Sequence, residues 1–377
     1  MLIYVEQVLV SHVSDFNGDI QKFAGDALFA EFRATPKRPL SKCAELAAAC
    51  AAALVRDCAD FPVSTVCGLL DTDTDGVPAY LNVHCGLGIG EMAGVHIGDN
   101  QTRREYMYLG NPIKQTAQAC DFAELGEAAA SREFCQILKE QGIFDADFSS
   151  GKEAFVIAER ANSLLQCNEV ELLASQKRNA RSRGITDHVE GLEPESLKEY
   201  RRLMSLYVHP VAVSNDAAAE NDFTPSSRAK DKNNSRDRQL EEAELRSVFV
   251  MFMNPMVSVE MTGDAAKDSA SVEIVHDIMK IANRELRRYN GHMRQFVMDD
   301  KGMVLIATFG LRGSTSPNMV GERALPATIA MHNALQYEMG IECRIGATFG
   351  DVYCGAVGGE KRHEYAVMGP SVNLAAR

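Results

Sequence analysis

The sequence predicts an α+β protein built from two tandem copies of one domain, each a mostly antiparallel sheet covered by helices. One observation behind this is an internal repeat, because a glycine-rich segment near position 90 recurs near position 350. The others are a polar stretch between the copies and an alternation of strand-like and helix-like apolar patterns inside each copy. The 377-residue chain is therefore expected to contain a first domain over 1–165, a linker over 166–245 and a second domain over 246–377.

The repeat is clearest in its glycines, which keep their spacing over about 30 residues. Glycines of the first copy recur 260 positions later, as Gly86 and Gly346, Gly90 and Gly350, and Gly98 and Gly358. After a slip of one residue, Arg103-Arg104-Glu105-Tyr106 recurs as Arg362-His363-Glu364-Tyr365, and Gly110 recurs as Gly369. Such a register is not expected by chance, so the two segments are interpreted as homologous.

Apolar spacing predicts similar elements in both copies. In the first copy they are a hairpin of Lys22-Phe23 and Ala27–Phe32 around Gly25-Asp26, a helix over Ser41–Cys58 and a strand over Tyr80–Leu87. In the second copy they are a strand over Val248–Phe252, a helix over Val272–Tyr289, a hairpin of Phe296–Met298 and Val304–Phe309, a helix over Ala324–Tyr337 and a strand over Cys343–Thr348.

The segment between the copies is mostly polar. Pro194–Val208 has apolar residues at helical spacing and predicts a helix. Ser214–Leu245 is rich in Asn, Asp, Ser and charged residues, which predicts a solvated linker that is disordered at least over Pro225–Arg238.

Composition excludes several classes of function. With 39 Lys and Arg against 52 Asp and Glu, the net charge of -13 argues against a nucleic-acid or anionic membrane surface. The ten cysteines show no CxxC pair, as is typical of reduced thiols in the cytoplasm. The longest apolar run, Leu46–Val55, is too short to span a bilayer, and the N-terminus lacks the pattern of a signal peptide.

Two short motifs carry candidate chemistry. Asp26, at the tip of the predicted hairpin, presents a carboxylate suited to a hard cation such as Mg²⁺, although turn chemistry alone also explains an Asp there. Asn373 and Arg377 lie four residues apart in a helix-forming segment and are expected to share one face. They can orient a sugar and stabilise phosphoryl charge, or they are simply an exposed polar pair.

The first copy has Lys114 and Gln118 at the positions equivalent to Asn373 and Arg377. This divergence, inside otherwise matching repeats, indicates that only one of two symmetric sites performs chemistry.

Lys22–Leu28 and Arg362–Arg377 together resemble the class III nucleotidyl cyclases, and most closely the soluble, bicarbonate-responsive adenylyl cyclases with two cyclase domains in one chain. The resemblance implies ferredoxin-like domains packed as a pseudo-symmetric dimer. It implies a cytoplasmic lyase that converts ATP to 3′,5′-cyclic AMP and pyrophosphate with two Mg²⁺ ions, for which Mn²⁺ can substitute. The resemblance further implies a role in intracellular signalling, with no nucleic-acid partner and no transmembrane segment.

The resemblance also assigns residues to roles. Asp26 matches a metal-binding aspartate, Asn373 the ribose-orienting amide and Arg377 the transition-state arginine. Asn254 stands where the second domain would carry a metal aspartate, so that domain is not expected to bind metal. The family's other metal aspartate and its phosphate-binding lysine have no match, so the chain is interpreted as a fragment that lacks the start of the first domain and the end of the second.

The base-reading positions depart from the family. They correspond to Gln295 and Ala366, where adenylyl cyclases have lysine with threonine or aspartate and guanylyl cyclases have glutamate with cysteine. Ala366 offers no side-chain hydrogen bond, so the pocket itself does not distinguish ATP from GTP. A guanylyl cyclase, or a non-catalytic cyclase-homology module that binds nucleotide or anion, therefore stays open beside the adenylyl cyclase.

Lys22 matches a basic residue near the bicarbonate site of the soluble cyclases, and the accompanying arginine position is Ala117. The resemblance thus suggests an anion site that takes bicarbonate as an activator. A surface lysine at the end of a strand explains Lys22 equally well.

Overall fold

The computed structural model describes residues 2–24, 27–62, 80–159, 193–208, 244–299, 302–311, 316–359 and 362–377. It divides the chain into two compact units, the first comprising 1–92, 110–182 and 358–363, and the second 93–109, 183–357 and 364–377. Both units contain helices and sheets, which confirms the α+β class. The domain boundaries near 165 and 245 and the dimer-like packing stay predictions, and most of the predicted linker lies outside the described residues.

A central helix organises the first unit. The unit begins with helix α1 (Leu2–Asp15), the hairpin β1 (Asp19–Ala24) and β2 (Ala27–Glu31), and helix α2 (Leu40–Asp57). Twelve residues of α2 are buried, because its small side chains face two separate clusters. One cluster contains Phe16, which follows α1, and Phe23 of β1, and the other contains Phe134 and Ile157 from later elements. The apolar run Leu46–Val55 is therefore part of a helix buried in the core of the first unit.

The remaining elements of the first unit form small sheets with helices. They are β3 (Phe61–Pro62), β4 (Tyr80–Leu81), β5 (Cys85–Leu87), α3 (Asn111–Phe122), β8 (Glu127–Ser131), α4 (Arg132–Glu140) and β9 (Ala154–Glu159). Strand β5 pairs parallel with β8, and β8 pairs antiparallel with β9. The single strand predicted over Tyr80–Leu87 is wrong, because β4 pairs with β3 whereas β5 joins a different sheet.

The second unit is built around a five-stranded sheet in the order β11-β12-β10-β13-β14. Its elements after helix α5 (Pro194–Ser205) are β10 (Glu244–Pro255), α6 (Ala265–Arg288), β11 (His292–Asp299), β12 (Gly302–Phe309), α7 (Pro317–Met339), β13 (Cys343–Gly359), β14 (Arg362–Met368) and α8 (Pro370–Ala376). Strand β10 pairs antiparallel with both of its neighbours, as expected for the mostly antiparallel sheet predicted from the sequence. Each predicted strand and helix of the second copy lies within one of these longer elements, except that Tyr289, the last residue of one predicted helix, follows the end of α6.

Helices cover both faces of this sheet. Phe249, Met251 and Met253 of β10 face a core formed with α6 and α7. Val248 and Val250 point the other way, because successive side chains of a strand alternate, and they pack with α8. The prediction of helices on one face is therefore incomplete, since α8 was not expected to cover the second face.

The second unit also includes the hairpin of β6 (Ala93–Gly98) and β7 (Arg104–Leu109), whose register runs from Ala93 opposite Leu109 to Gly98 opposite Arg104. Ile97 and Leu109 join the core formed by α6 and the sheet. Helix α5 is tied to this hairpin, because Arg104 N donates to Leu206 O at 2.8 Å. No described helix is both long and apolar enough to cross a membrane.

The repeated glycines have the same structural role in both units. A Cβ on Gly86 would lie 2.3 Å from Thr116 O of α3, and one on Gly346 would lie 2.0 Å from Ala375 O of α8. Thr116 and Ala375 are themselves equivalent positions of the repeat. The two glycines therefore let a following helix lie directly on the strand.

Candidate functional site

Helix α8 presents the two candidate catalytic residues. It starts after Gly369, whose φ of 155° is a conformation that favours glycine, and Pro370 occupies its first turn. Val372 and Ala375 bury the inner face against the sheet. Asn373 and Arg377 are exposed, with Arg377 directly following the last helical residue.

The side chains of Asn373 and Arg377 make no hydrogen bond or ion pair with the part of the chain that the structure describes. An amide and a guanidinium left in this state are available to a ligand, and the guanidinium can bind a phosphate through two parallel hydrogen bonds.

The equivalent positions on α3 are also exposed. Lys114 and Gln118 lie on the outer face of that helix, whose inner face buries Gln115 and Ala119. The repeat thus presents an outward polar pair in each unit, and only the pair on α8 includes a guanidinium.

The two candidate base-reading residues are both buried. Gln295 is 2% exposed on β11, just after an irregularity in its pairing with β12. Ala366 is also 2% exposed and lies on β14. These strands are the two edges of the sheet, which would stand about 19 Å apart if four strand spacings of about 4.8 Å were laid flat.

An ion pair nevertheless joins the two edge strands. Arg294 Nη2 lies 2.8 Å from Glu364 Oε1, and their side chains are 10% and 26% exposed. Arg294 directly precedes Gln295, and Glu364 is two residues before Ala366. The sheet is therefore curved enough for side chains to bridge its edges at the two base-reading positions. The sequence analysis did not identify Arg294. The one sequence feature that pointed to this ion pair was the Glu-Tyr pair repeated in both copies, which includes Glu364.

Neutral groups surround the same end of β14. Burial raises the pKa of Tyr365, and neighbouring Cys354 raises it further. Burial likewise raises the pKa of Cys354, to about 11. Both groups therefore stay protonated at neutral pH, and the charges of Glu244 and Arg246 act on both of them.

The residues assigned to metal and anion sites fall in the first hairpin and in β10. Lys22 is partly buried on β1 opposite Phe29. Asp26 lies outside the described residues, and the described residues contain no group of three or more His, Cys, Asp or Glu side chains able to hold a metal. Asn254 faces Arg344 across the β10–β13 ladder. The roles of Lys22 and Asp26 stay predictions.

Comparison with known proteins supports the resemblance seen in the motifs. The chain is 25% identical to adenylate cyclase type 10 of Oryctolagus cuniculus and 24% identical to that of Homo sapiens, over alignments that span the whole chain. Each alignment covers 21% of the relative, so the chain spans about a fifth of the length of these proteins. No protein-family model matches the chain.

A solved structure supports the fold. A class III adenylyl cyclase-like ATP-binding protein from Pseudomonas aeruginosa superimposes with a TM-score of 0.56, covering 100% of this chain and 73% of that one. The sequence identity is 13%, so the likeness concerns the fold alone. The resemblance to class III cyclases, predicted from two short motifs, is confirmed.

Proposed function

We propose that this chain is the cyclase portion of a nucleotidyl cyclase that converts ATP to 3′,5′-cyclic AMP and pyrophosphate. The observation that carries the proposal is the exposed Asn373 and Arg377 pair on α8, whose side chains make no hydrogen bond or ion pair with the described residues, in a chain similar over its whole length to adenylate cyclases. In the proposed reaction the ribose 3′-oxygen bonds to the α-phosphorus and loses its proton to solvent. The bond from the α-phosphorus to the β-phosphate oxygen breaks, and pyrophosphate leaves.

The chain's own residues have distinct roles in this proposal. The Asn373 amide hydrogen-bonds the ribose and orients its 3′-hydroxyl, whereas the Arg377 guanidinium stabilises charge that develops on the phosphoryl oxygens. Asp26 would help to hold Mg²⁺, which when bound neutralises phosphate charge and lowers the pKa of the attacking hydroxyl. Bicarbonate, held near Lys22, is proposed as an activator.

The buried Ala366 favours a second candidate. Since it leaves one base-reading position without a polar group, a guanylyl cyclase or a nucleotide-binding regulatory module remains an alternative. A Gln295→Lys/Ala366→Thr double variant tests whether these two positions read the base, because it installs the two base-reading groups of adenylyl cyclases. If they do, the ratio of kcat/KM for ATP to that for GTP rises at least about tenfold, the value of one added hydrogen bond. The wild-type ratio itself decides between ATP and GTP.

The direct test of the proposal uses the full protein encoded by the transcript. It is incubated with ATP or GTP and Mg²⁺ or Mn²⁺, with and without bicarbonate, and cyclic AMP and cyclic GMP are quantified by mass spectrometry. Matched samples carry Asp26→Asn or Arg377→Ala. Cyclic AMP that disappears in both variants supports the adenylyl cyclase.

Other results separate the alternatives. Cyclic GMP as the main product identifies the guanylyl cyclase. Folded protein that binds nucleotide but yields neither product contradicts catalysis and supports the regulatory module. An equal rate with and without bicarbonate contradicts the activator site at Lys22 and leaves the catalytic proposal standing.

A further inference from the structure

A pocket of about 450 Å³ in the second unit is lined mainly by basic side chains. One wall is the C-terminal part of α6, and the other is the turn between β6 and β7. The lining residues are Lys280, Arg284, Arg287 and Arg288 from the helix, and Asp99, Gln101 and Thr102 from the turn. None of them belongs to the proposed nucleotide site. We call this the basic pocket.

The basic residues share one face of α6 because of their spacing. Their positions correspond to i, i+4, i+7 and i+8, which place side chains one above another on a helix. The opposite face of α6 carries Ile278, Met279 and Ala282, which are fully buried in the core. Like charges at this spacing repel one another, and the chain as a whole is strongly acidic. The average composition of the chain therefore does not explain why four basic side chains surround one pocket.

Two of the charged side chains that line the basic pocket already have partners, which hold the helix side and the turn side of the pocket in place. Arg284 donates to both carboxylate oxygens of Glu338 and to Glu285 Oε1. The Asp99 carboxylate accepts from Gln101 N and Thr102 N at 2.7 Å and from Thr102 Oγ1 at 2.5 Å. Burial opposes ionisation of Asp99, but these hydrogen bonds and nearby Arg287 together hold its pKa below the usual value. Asp99 is thus occupied within its own turn.

Donors remain after these contacts are made. The Arg287 guanidinium has no hydrogen bond or ion pair with any residue that the structure describes. Arg288 comes no closer than 3.9 Å to a Glu285 oxygen, and Lys280 uses one contact, to Asp277 Oδ1 at 3.0 Å. Among the described residues, Arg287 thus has no acceptor, while Lys280 and Arg288 each have one carboxylate contact and further N–H groups, and the Arg288 guanidinium also lies 5.5 Å from the centre of the Tyr289 ring.

We propose that the basic pocket binds a ligand that carries at least two phosphoryl groups. The fork of each guanidinium matches the oxygens of one phosphate, and several separate cations favour several phosphates over one. The volume lies within the range of small-molecule sites. A soluble phosphorylated metabolite and the headgroup of a phosphoinositide both have this chemistry, so the test separates the two sources.

The test uses inorganic pyrophosphate as the probe and isothermal titration calorimetry on the full chain. The pocket variant is Arg287→Gln/Arg288→Gln, and the matched control is Arg201→Gln/Arg323→Gln, which removes two exposed arginines elsewhere in the same unit. Pyrophosphate is expected to bind more tightly than orthophosphate. The pocket variant is expected to weaken pyrophosphate binding at least tenfold, whereas the control leaves it unchanged. Thermal unfolding checks that both variants are folded.

Further samples separate this site from the nucleotide site and the two ligand sources. Arg377→Gln is expected to keep the pyrophosphate binding that depends on Arg287 and Arg288. Binding lost in Arg377→Gln but kept in the pocket variant assigns it to the nucleotide site and overturns the proposal. Binding to phosphatidylcholine vesicles containing phosphatidylinositol 4,5-bisphosphate, lost in the pocket variant, supports the proposal with a lipid source. Absence of binding to both pyrophosphate and these vesicles overturns it.

Discussion

At the scale of single residues, Arg294 and Glu364 show how a local charge pair defines the candidate base-reading end of the sheet. Neither residue is a base reader in the proposal, but each is close in sequence to one that is. Gln295 and Ala366 lie on opposite edge strands, so they can act on one base only if those strands are held in place. The ion pair supplies that positioning between two edges of a curved sheet.

The first prediction is that this pair stabilises the second unit measurably. Arg294→Met and Glu364→Gln are each expected to lower the free energy of unfolding by about 1–3 kcal/mol, because each leaves a poorly hydrated charge without its partner. The double variant should be more stable than the sum of the two losses predicts. Urea unfolding of all four proteins measures the coupling. The more exposed Asp277–Lys280 pair on α6, treated in the same way, should show a coupling below about 0.5 kcal/mol. Equal coupling for the two pairs would contradict the positioning role.

A second prediction concerns His276 on α6. Its Nδ1 accepts a hydrogen bond from Gly98 N at 3.2 Å, which requires an unprotonated nitrogen. Burial, followed by the charge of Lys280, lowers the pKa of His276 below 6.5, with Arg104 acting in the same direction and Asp277 and Asp99 opposing it. The unfolded chain therefore takes up the proton first as pH falls through about 6.5, and stability decreases until the folded-state pKa is reached.

Unfolding measurements between pH 8 and pH 5 test this sign. His276→Gln retains an acceptor without a titrating group, so the loss of stability on acidification should be smaller in the variant than in the wild type. Above pH 7 the slopes of the two proteins should agree. A wild-type slope that matches the variant throughout this range would show that His276 does not titrate differently on folding.

At the scale of elements, the glycines shared by the two copies determine how closely a helix packs on a strand. The third prediction is that Gly346→Ala lowers the free energy of unfolding by at least about 1–3 kcal/mol, because the new Cβ would overlap Ala375 O of α8. Gly321 in α7 is the matched control, since a Cβ there meets nothing within 4 Å. Gly321→Ala should stabilise the protein by up to about 1 kcal/mol through helix propensity. A Gly346→Ala protein as stable as the wild type would show that α8 shifts without cost.

The elements also show what a single sequence can and cannot predict. Apolar spacing located the helices and strands of the second copy, because one face of each element is buried in a common core. It did not place α8 on the second face, since a seven-residue helix has too few turns to display a period. The local sequence also gives no sign that Tyr80–Leu87 divides between two sheets. Arg294 was missed because it lies 70 residues from Glu364 in the chain, and only the curvature of the sheet brings them together.

At the scale of the whole molecule, the two copies share a helix that lies directly on a strand but differ in the side chains that this helix exposes. Matching glycines place α3 and α8 on their strands in the same way, yet α8 exposes Asn373 and Arg377 where α3 exposes Lys114 and Gln118. If only the copy that carries α8 performs the proposed reaction, the exposed pair of α3 has no catalytic role. One productive nucleotide per chain is the expected consequence.

The fourth prediction tests this asymmetry with equivalent positions. If the proposed cyclase activity is present, Arg377→Ala should lower kcat at least about 100-fold, because a guanidinium no longer stabilises phosphoryl charge in the transition state. Gln118→Ala, at the matching position of α3, should change kcat less than twofold. Titration with a non-hydrolysable ATP analogue and Mg²⁺ should give one productive site per chain. Similar losses from the two substitutions would mean that both copies contribute to catalysis, and two equivalent productive sites would contradict the asymmetry.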